Sequence, residues 1–212
     1  MKKLNCVLIF ILIGINLNSQ TISFNNGISL SRMDDMFYKY SVNYSSYLGF
    51  EYFYKNNFHL NSNLGYIQKG GIYSHYSGGL AFGQRYVDDI LKLNYISLNT
   101  ILQFEFSKSK LVPYIGIGPM FEILISNNNQ FEQFYKSEKP QRFSYGLIMN
   151  IGIRTNLNRF QLGLDLNYLD NFNRITTWSN VDWHEEFNDR TFLILFKLGY
   201  RIKTTANTVY NP

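Results

Sequence analysis

The sequence predicts an all-β protein, an eight-stranded antiparallel up-and-down transmembrane β-barrel behind an N-terminal signal peptide. Three observations predict it. Segments of strict apolar/polar alternation recur along the chain, their connections alternate between short and long, and the glycines keep to the polar phase of the alternation. Side chains on a strand point to opposite faces with period two, so each such segment has one apolar and one polar face. The plainest case runs from Phe143 to Tyr168. Phe143, Tyr145, Leu147, Met149, Ile151 and Ile153 take every second place, the turn 155–159 intervenes, and Phe160, Leu162, Leu164, Leu166 and Tyr168 repeat the pattern. Each arm holds about nine to eleven residues, the length a tilted strand needs to cross a bilayer.

Taken in order, the chain opens on a secretory signal. Lys2 and Lys3 precede an apolar run from Cys6 to Ile15 that is too short for a spanning helix. Residues 1–19 are read as the signal peptide, with the cut beside Gln20, residues 20–203 as the barrel domain, and residues 204–212 as a periplasmic tail. Cys6 lies at the start of the apolar run, which excludes a lipid-anchor cysteine and leaves the mature chain without a thiol. Without Lys2 and Lys3 there are 18 basic residues against 15 acidic, a net charge of about +3, and no basic cluster interleaved with aromatics. A nucleic-acid partner is therefore not expected. Aromatics make up 17% of the chain, which suits strands whose side chains must span apolar and wet surroundings.

The first strand sets Ile22, Phe24, Ile28 and Leu30 against Ser23, Asn25, Gly27 and Ser29. The second sets Leu48, Phe50, Tyr52 and Tyr54 against Gly49 and Glu51. The third sets Phe58, Leu60, Leu64 and Tyr66 against His59, Asn61, Asn63, Gly65 and Lys69. The fourth sets Ile96, Leu98, Leu102, Phe104 and Phe106 against Ser97, Asn99, Gln103 and Glu105. The fifth sets Pro113, Ile115, Ile117, Phe121 and Ile123 against Tyr114, Gly116, Gly118 and Glu122. The hairpin above supplies the sixth and seventh, and the eighth sets Phe192, Ile194, Phe196, Leu198, Tyr200 and Ile202 against Lys197, Gly199 and Arg201. Connections after the even strands are short and those after the odd strands long. Outer-membrane barrels carry short turns on the periplasmic side and long loops outside.

Alternation is shared with soluble barrels and sandwiches, whose apolar face points inward. The glycines decide between the two. Of 15 glycines, nine (Gly27, Gly49, Gly65, Gly116, Gly118, Gly146, Gly152, Gly163 and Gly199) fall on the polar face. Glycine on a solvated face would weaken a strand without benefit, whereas the interior of a narrow eight-stranded barrel needs small residues. The polar face is thus the inside. Aromatics on the other face gather toward the two ends, as membrane interfaces demand: Tyr52, Tyr54, Phe58, Phe104, Phe106, Phe160 and Tyr200 near the short turns, and Phe121, Phe143, Tyr145, Tyr168 and Phe192 near the long loops.

The motifs Leu64-Gly65-Tyr66-Ile67-Gln68-Lys69-Gly70, Leu93-Asn94-Tyr95-Ile96-Ser97-Leu98 and Pro113-Tyr114-Ile115-Gly116-Ile117-Gly118-Pro119 give the chain a resemblance to the PorT-like small outer-membrane β-barrel proteins. The resemblance spans the whole mature chain and implies the barrel domain and the outer membrane of a Gram-negative bacterium. A branch of that family serves protein secretion, so the resemblance also permits an accessory role in an envelope secretion machine. The tail after the last strand departs from the usual terminal aromatic.

Chemistry is sought first among the inward charges. Glu51, Glu105, Glu122 and Asp165 face Lys69, Arg154, Lys197 and Arg201, four against four. An unpaired charge inside a barrel is costly, so pairing is expected. Glu51, Glu105, Arg154 and Arg201 should share the periplasmic end, Asp165 and Lys197 should pair near mid-height, and Lys69 and Glu122 should lie nearer the loops. His59 is placed at the periplasmic rim, with His75 and His184 in the loops 72–90 and 170–190. His184 near Asp182, Glu185 and Glu186 reads as a solvated cluster rather than a zinc site. No histidine has a serine and a carboxylate repeating along one strand face, so no enzyme, catalytic residue, metal or cofactor is expected. Loop aromatics form a candidate binding surface: Phe131, Phe134, Tyr135, Trp178, Trp183 and Phe187. The expected function is a non-conducting structural or binding component of the cell envelope, in contact with outer-membrane lipids and open to an envelope protein partner through its long loops. A secretion accessory and a lipid-modifying enzyme are the alternatives.

Overall fold

The computed structural model describes residues 20–33, 39–77, 85–107, 109–128, 141–173, 176–180, 183–187 and 189–202. The expected signal peptide and C-terminal tail lie outside the described residues. Eight long strands close into one antiparallel barrel in the order β1-β10-β7-β6-β5-β4-β3-β2. They are β1 (Thr21–Met33), β2 (Lys39–Lys55), β3 (Phe58–Ser77), β4 (Arg85–Glu105), β5 (Leu111–Asn127), β6 (Phe143–Leu157), β7 (Phe160–Asn171) and β10 (Asp189–Arg201). A separate hairpin, β8 (Thr176–Asn180) with β9 (Trp183–Phe187), stands between β7 and β10. Each barrel strand pairs with the next barrel strand in the chain, β7 with β10 across the separate hairpin, and the barrel closes at the seam where β1 pairs with β10 from Thr21↔Arg201 to Met33↔Asp189. Closure leaves no edge of a barrel strand unpaired, which lipid requires.

The two faces divide as the glycines predict. Leu48, Ile151 and Phe143 are each 63% exposed on the outside, whereas Glu51, Lys69, Glu122 and Lys197 are wholly buried inside. The glycines make that interior possible. A Cβ on Gly152 would clash with the Tyr114 ring and come within 2.5 Å of Asp165 Oδ1, and one on Gly65 would come within 2.5 Å of the Tyr47 ring. These glycines stand where large inward side chains of neighbouring strands need room.

The strands run further than the alternation suggests. The segment 72–90, expected as a loop, is mostly a continuation of β3 and β4, paired from Tyr73↔Asp89 to Ser77↔Arg85. The loop expected at 170–190 contains the β8–β9 hairpin. Polar residues broke the apolar count, but beyond the bilayer both faces of a hairpin are wet and alternation is no longer required.

A second correction concerns Tyr54, expected in the outer girdle. Phe53 adopts φ 57°, and pairing with β3 shifts between Tyr52 and Lys55. This bulge turns the strand by one residue, so Tyr54 swings inward to stack on His59 at 4.8 Å. Other girdle aromatics meet as ring pairs: Phe58–Phe104 at 4.9 Å, Phe160–Tyr200 at 5.6 Å, and Tyr168–Phe192 at 5.0 Å on the loop side.

Two short turns depend on asparagines in the left-handed region, Asn56 at φ 56° and Asn158 at φ 53°. Alanine at either position is expected to cost about 1–2 kcal/mol in urea unfolding from lipid vesicles, and glycine far less. Equal losses for alanine and glycine would show that the side chain, not the backbone, matters there.

Candidate functional site: a sealed lumen

The barrel interior is built in three levels. At the short-turn end, Glu51 on β2 is the hub. It accepts from the Lys197 ammonium on β10, the Tyr54 hydroxyl and Arg154 Nη1 on β6, the last at 3.2 Å to both carboxylate oxygens. Arg154 also binds Glu105 through Nη2. His59 lies between them, Nε2 at 3.2 Å from Arg154 Nη1 and Nδ1 at 3.3 Å from Glu105 Oε1. The Arg154 guanidinium sits over the Tyr114 ring at 5.4 Å. Two cations thus face two carboxylates; Glu51, Glu105 and Arg154 each meet more than one polar partner, as a buried charge needs, and Lys197 is bound to Glu51.

Above this lies a belt of amides. Asn25 donates to Asn63 at 3.1 Å, Asn63 to Asn99 at 2.8 Å, and Gln103 to Asn150 at 2.7 Å. Asn150 Nδ2 donates to Asp165 at 3.0 Å and Asn167 at 2.8 Å, and the Tyr114 hydroxyl donates to Asp165 at 2.6 Å. The space left among these groups is about 10 Å³. That is at the threshold for a single water.

At the loop end, Lys69 Nζ lies 2.6 Å from Glu122 Oε2 and 2.8 Å from Asp189 Oδ2, with the Tyr95 ring 5.6 Å away. Asn171 donates to the other oxygen of Asp189. The cross-strand neighbour of Lys69 is Leu93 and that of Asp189 is Met33. Both belong to an apolar cluster with Ile67, Leu91, Met120 and Leu169 that fills this level. The ion triad is therefore embedded in an apolar plug.

Of the eight charges expected to form the network, Glu51, Glu105, Arg154 and Lys197 meet in the lower cluster and Lys69 and Glu122 in the upper one. Asp165 and Lys197 do not pair as expected. In the β7–β10 register Asp165 faces Leu195 and Lys197 faces Gly163, one step closer to the short turns. Lys197 reaches Glu51 past the small Gly163 and Asn25, and Asp165 is held by neutral donors instead. Arg201 stays at the rim, donating to Asn156 Oδ1 at 3.0 Å. His59 is fully buried in the lower cluster rather than at the rim, because Tyr54 covers it.

Asp189 and Tyr54 were missed by sequence reasoning. Asp189 continues the inward phase of Lys197, Leu195, Leu193 and Thr191, so carrying the alternation three residues beyond Phe192 would have found it. Tyr54 had no such signal, because the bulge reverses its phase. His75 falls on the extended β3 and His184 on β9. Phe131, Phe134 and Tyr135 lie outside the described residues. Trp178 is on β8 facing Glu185 in the register, Trp183 pairs with Asn180, and Phe187 with Thr176. The hairpin thus brings Trp178, Trp183 and Phe187 into one short sheet.

A closed antiparallel barrel with an apolar outside, aromatic girdles and a charged, filled inside is an outer-membrane β-barrel protein. The chain belongs to the outer membrane protein beta-barrel domain family, whose profile matches residues 10–177. It resides in the outer membrane of a Gram-negative bacterium. Among solved structures it is similar to the outer membrane protein OprG from Pseudomonas aeruginosa, with TM-score 0.52 and 14% identity over 89% of this chain and 97% of that one. It is also similar to Ail, the attachment invasion locus protein of Yersinia pestis, with TM-score 0.50 and 14% identity over 87% and 99%. Neisserial surface protein A gives TM-score 0.50 and 13% identity over 85% and 96%. At these identities the likeness is one of fold. A comparison with curated proteins finds no match.

Proposed function

We propose that the protein is a non-conducting, non-enzymatic envelope component, a rigid barrel that holds its extracellular segments for binding. The observation that carries this reading is the filled lumen: two ion clusters, an amide belt with about 10 Å³ to spare and an apolar plug succeed one another along the axis. The buried carboxylates and His59 are engaged with one another, which leaves them poorly placed to meet a substrate. The extended β3–β4 hairpin and the β8–β9 hairpin, with Trp178, Trp183 and Phe187 on its backbone, are the natural binding elements. Within the family, the PorT-like reading and its link to envelope protein secretion rest on the motifs around Gly65, Tyr95 and Gly116.

The test is current through planar bilayers that hold the purified barrel. No stepwise conductance is expected from the native protein. Stepwise current from the native barrel would overturn the proposal. In the same membranes, crosslinking the native chain and a Trp178→Ala/Trp183→Ala variant tests the binding half: loss of a captured partner only in the variant is the expected result.

A further inference from the structure

Most polar side chains on the membrane-facing surface have partners on their own barrel. Ser62 and Thr100 bond each other at 2.8 Å, with the Tyr52 hydroxyl 3.1 Å from Ser62. Asn94 accepts from Tyr66 at 2.6 Å and Gln68 at 2.8 Å and donates to Ser126 at 2.8 Å. Asn26 and Ser46 differ. They are cross-strand partners on β1 and β2, on the outward phase of both strands. Neither side chain makes a hydrogen bond among the described residues.

The pair lies within the apolar band and not at its edge. Along β1, Asn26 is flanked by exposed Phe24 and Ile28, and along β2, Ser46 is flanked by exposed Tyr44 and Leu48. On the other side the partner of Asn26 is exposed Phe196. Asn26 is five residues above the start of β1, about 12–13 Å into a tilted strand and so near the bilayer middle. Acyl chains can satisfy neither the donors nor the acceptor of an amide, and a bare polar group in hydrocarbon costs several kcal/mol.

We propose that the β1–β2 face is an interface within the membrane with a second copy of this chain, centred on Asn26. The amide is self-complementary. Across a twofold axis, the NH₂ of each Asn26 donates to the carbonyl oxygen of the other, as an isologous contact requires. Ser46, beside it, can donate to whichever carbonyl lone pair remains. Phe24, Ile28, Tyr44 and Leu48 would surround the amides and exclude lipid from them. Polar side chains act as such glue between membrane-embedded segments.

Oxidative crosslinking in native outer membranes tests this, in a chain whose one cysteine is removed by Cys6→Ser. Asn26→Cys is expected to give a disulfide-linked species of twice the mass of the barrel. Ile115→Cys, on β5 across the barrel, should stay monomeric. Asn26→Leu should weaken dimerisation in lipid about tenfold, the effect of two membrane hydrogen bonds, while its SDS-resistant folded band persists. Equal crosslinking at both positions, capture of only a different protein by Asn26→Cys, or undiminished dimerisation of Asn26→Leu would each overturn the proposal.

Discussion

Replacement of Lys69 by Met is expected to lower the unfolding free energy of the barrel by about 3–5 kcal/mol in urea titrations from lipid vesicles. Met matches the aliphatic stem in volume, so packing against Leu93 and Tyr95 is largely retained and the loss is electrostatic. The ammonium lies 2.6 Å from Glu122 and 2.8 Å from Asp189, and all three groups are buried in the apolar plug. Without it, two carboxylates face each other in a low-dielectric site, with Asn171 and Thr191 as donors to Asp189. A second variant separates charge from volume. Lys69→Met with Glu122→Gln and Asp189→Asn removes the whole charge set and should regain most of the loss, because a neutral replacement of a buried ion cluster is often tolerated. A loss below about 1 kcal/mol for Lys69→Met alone would mean that water reaches the triad and that the plug is not dry.

The second large effect concerns which partner Lys197 serves. Glu51→Gln is expected to cost about 3–5 kcal/mol, since both Lys197 and Arg154 lose their shared carboxylate. A double-mutant cycle between Glu51→Gln and Lys197→Met should show a coupling of about 1–3 kcal/mol, the range for residues in one ion network. The corresponding cycle between Asp165→Asn and Lys197→Met should give less than about 0.5 kcal/mol. The opposite order of couplings would restore the Asp165–Lys197 pair that alternation alone suggests.

That contrast marks what the sequence makes legible. Parity along a strand is set by local geometry, so the inward placement of Glu51, Lys69, Glu122, Arg154, Asp165 and Lys197 could be read directly from neighbouring apolar residues. Pairing across the lumen is not local. It depends on the stagger between strands, and a single step in the β7–β10 register puts Gly163, not Asp165, opposite Lys197. A bulge is harder still. Alternation puts Tyr54 in the girdle and Phe53 on the opposite face, and only the left-handed backbone at Phe53 shows that the phase reverses there. The ends of β3 and β4 were hidden for the converse reason, since outside the bilayer no solvent difference forces the two faces to differ in sequence.

The position of Glu51 in the chain also bears on how the molecule is assembled. Its cationic partners come from residues 103 and 146 positions later, on the sixth strand and on the last. No early hairpin can neutralise that carboxylate, and Lys197 arrives with the strand that completes the wall against β1. A half-built sheet would have to show these charges to water or to lipid until the final strand docks, so insertion and seam closure should occur as one late, cooperative event. Such long-range closure is intrinsically slow, and the step at which β10 meets β1 would set the rate at which the protein appears in its membrane.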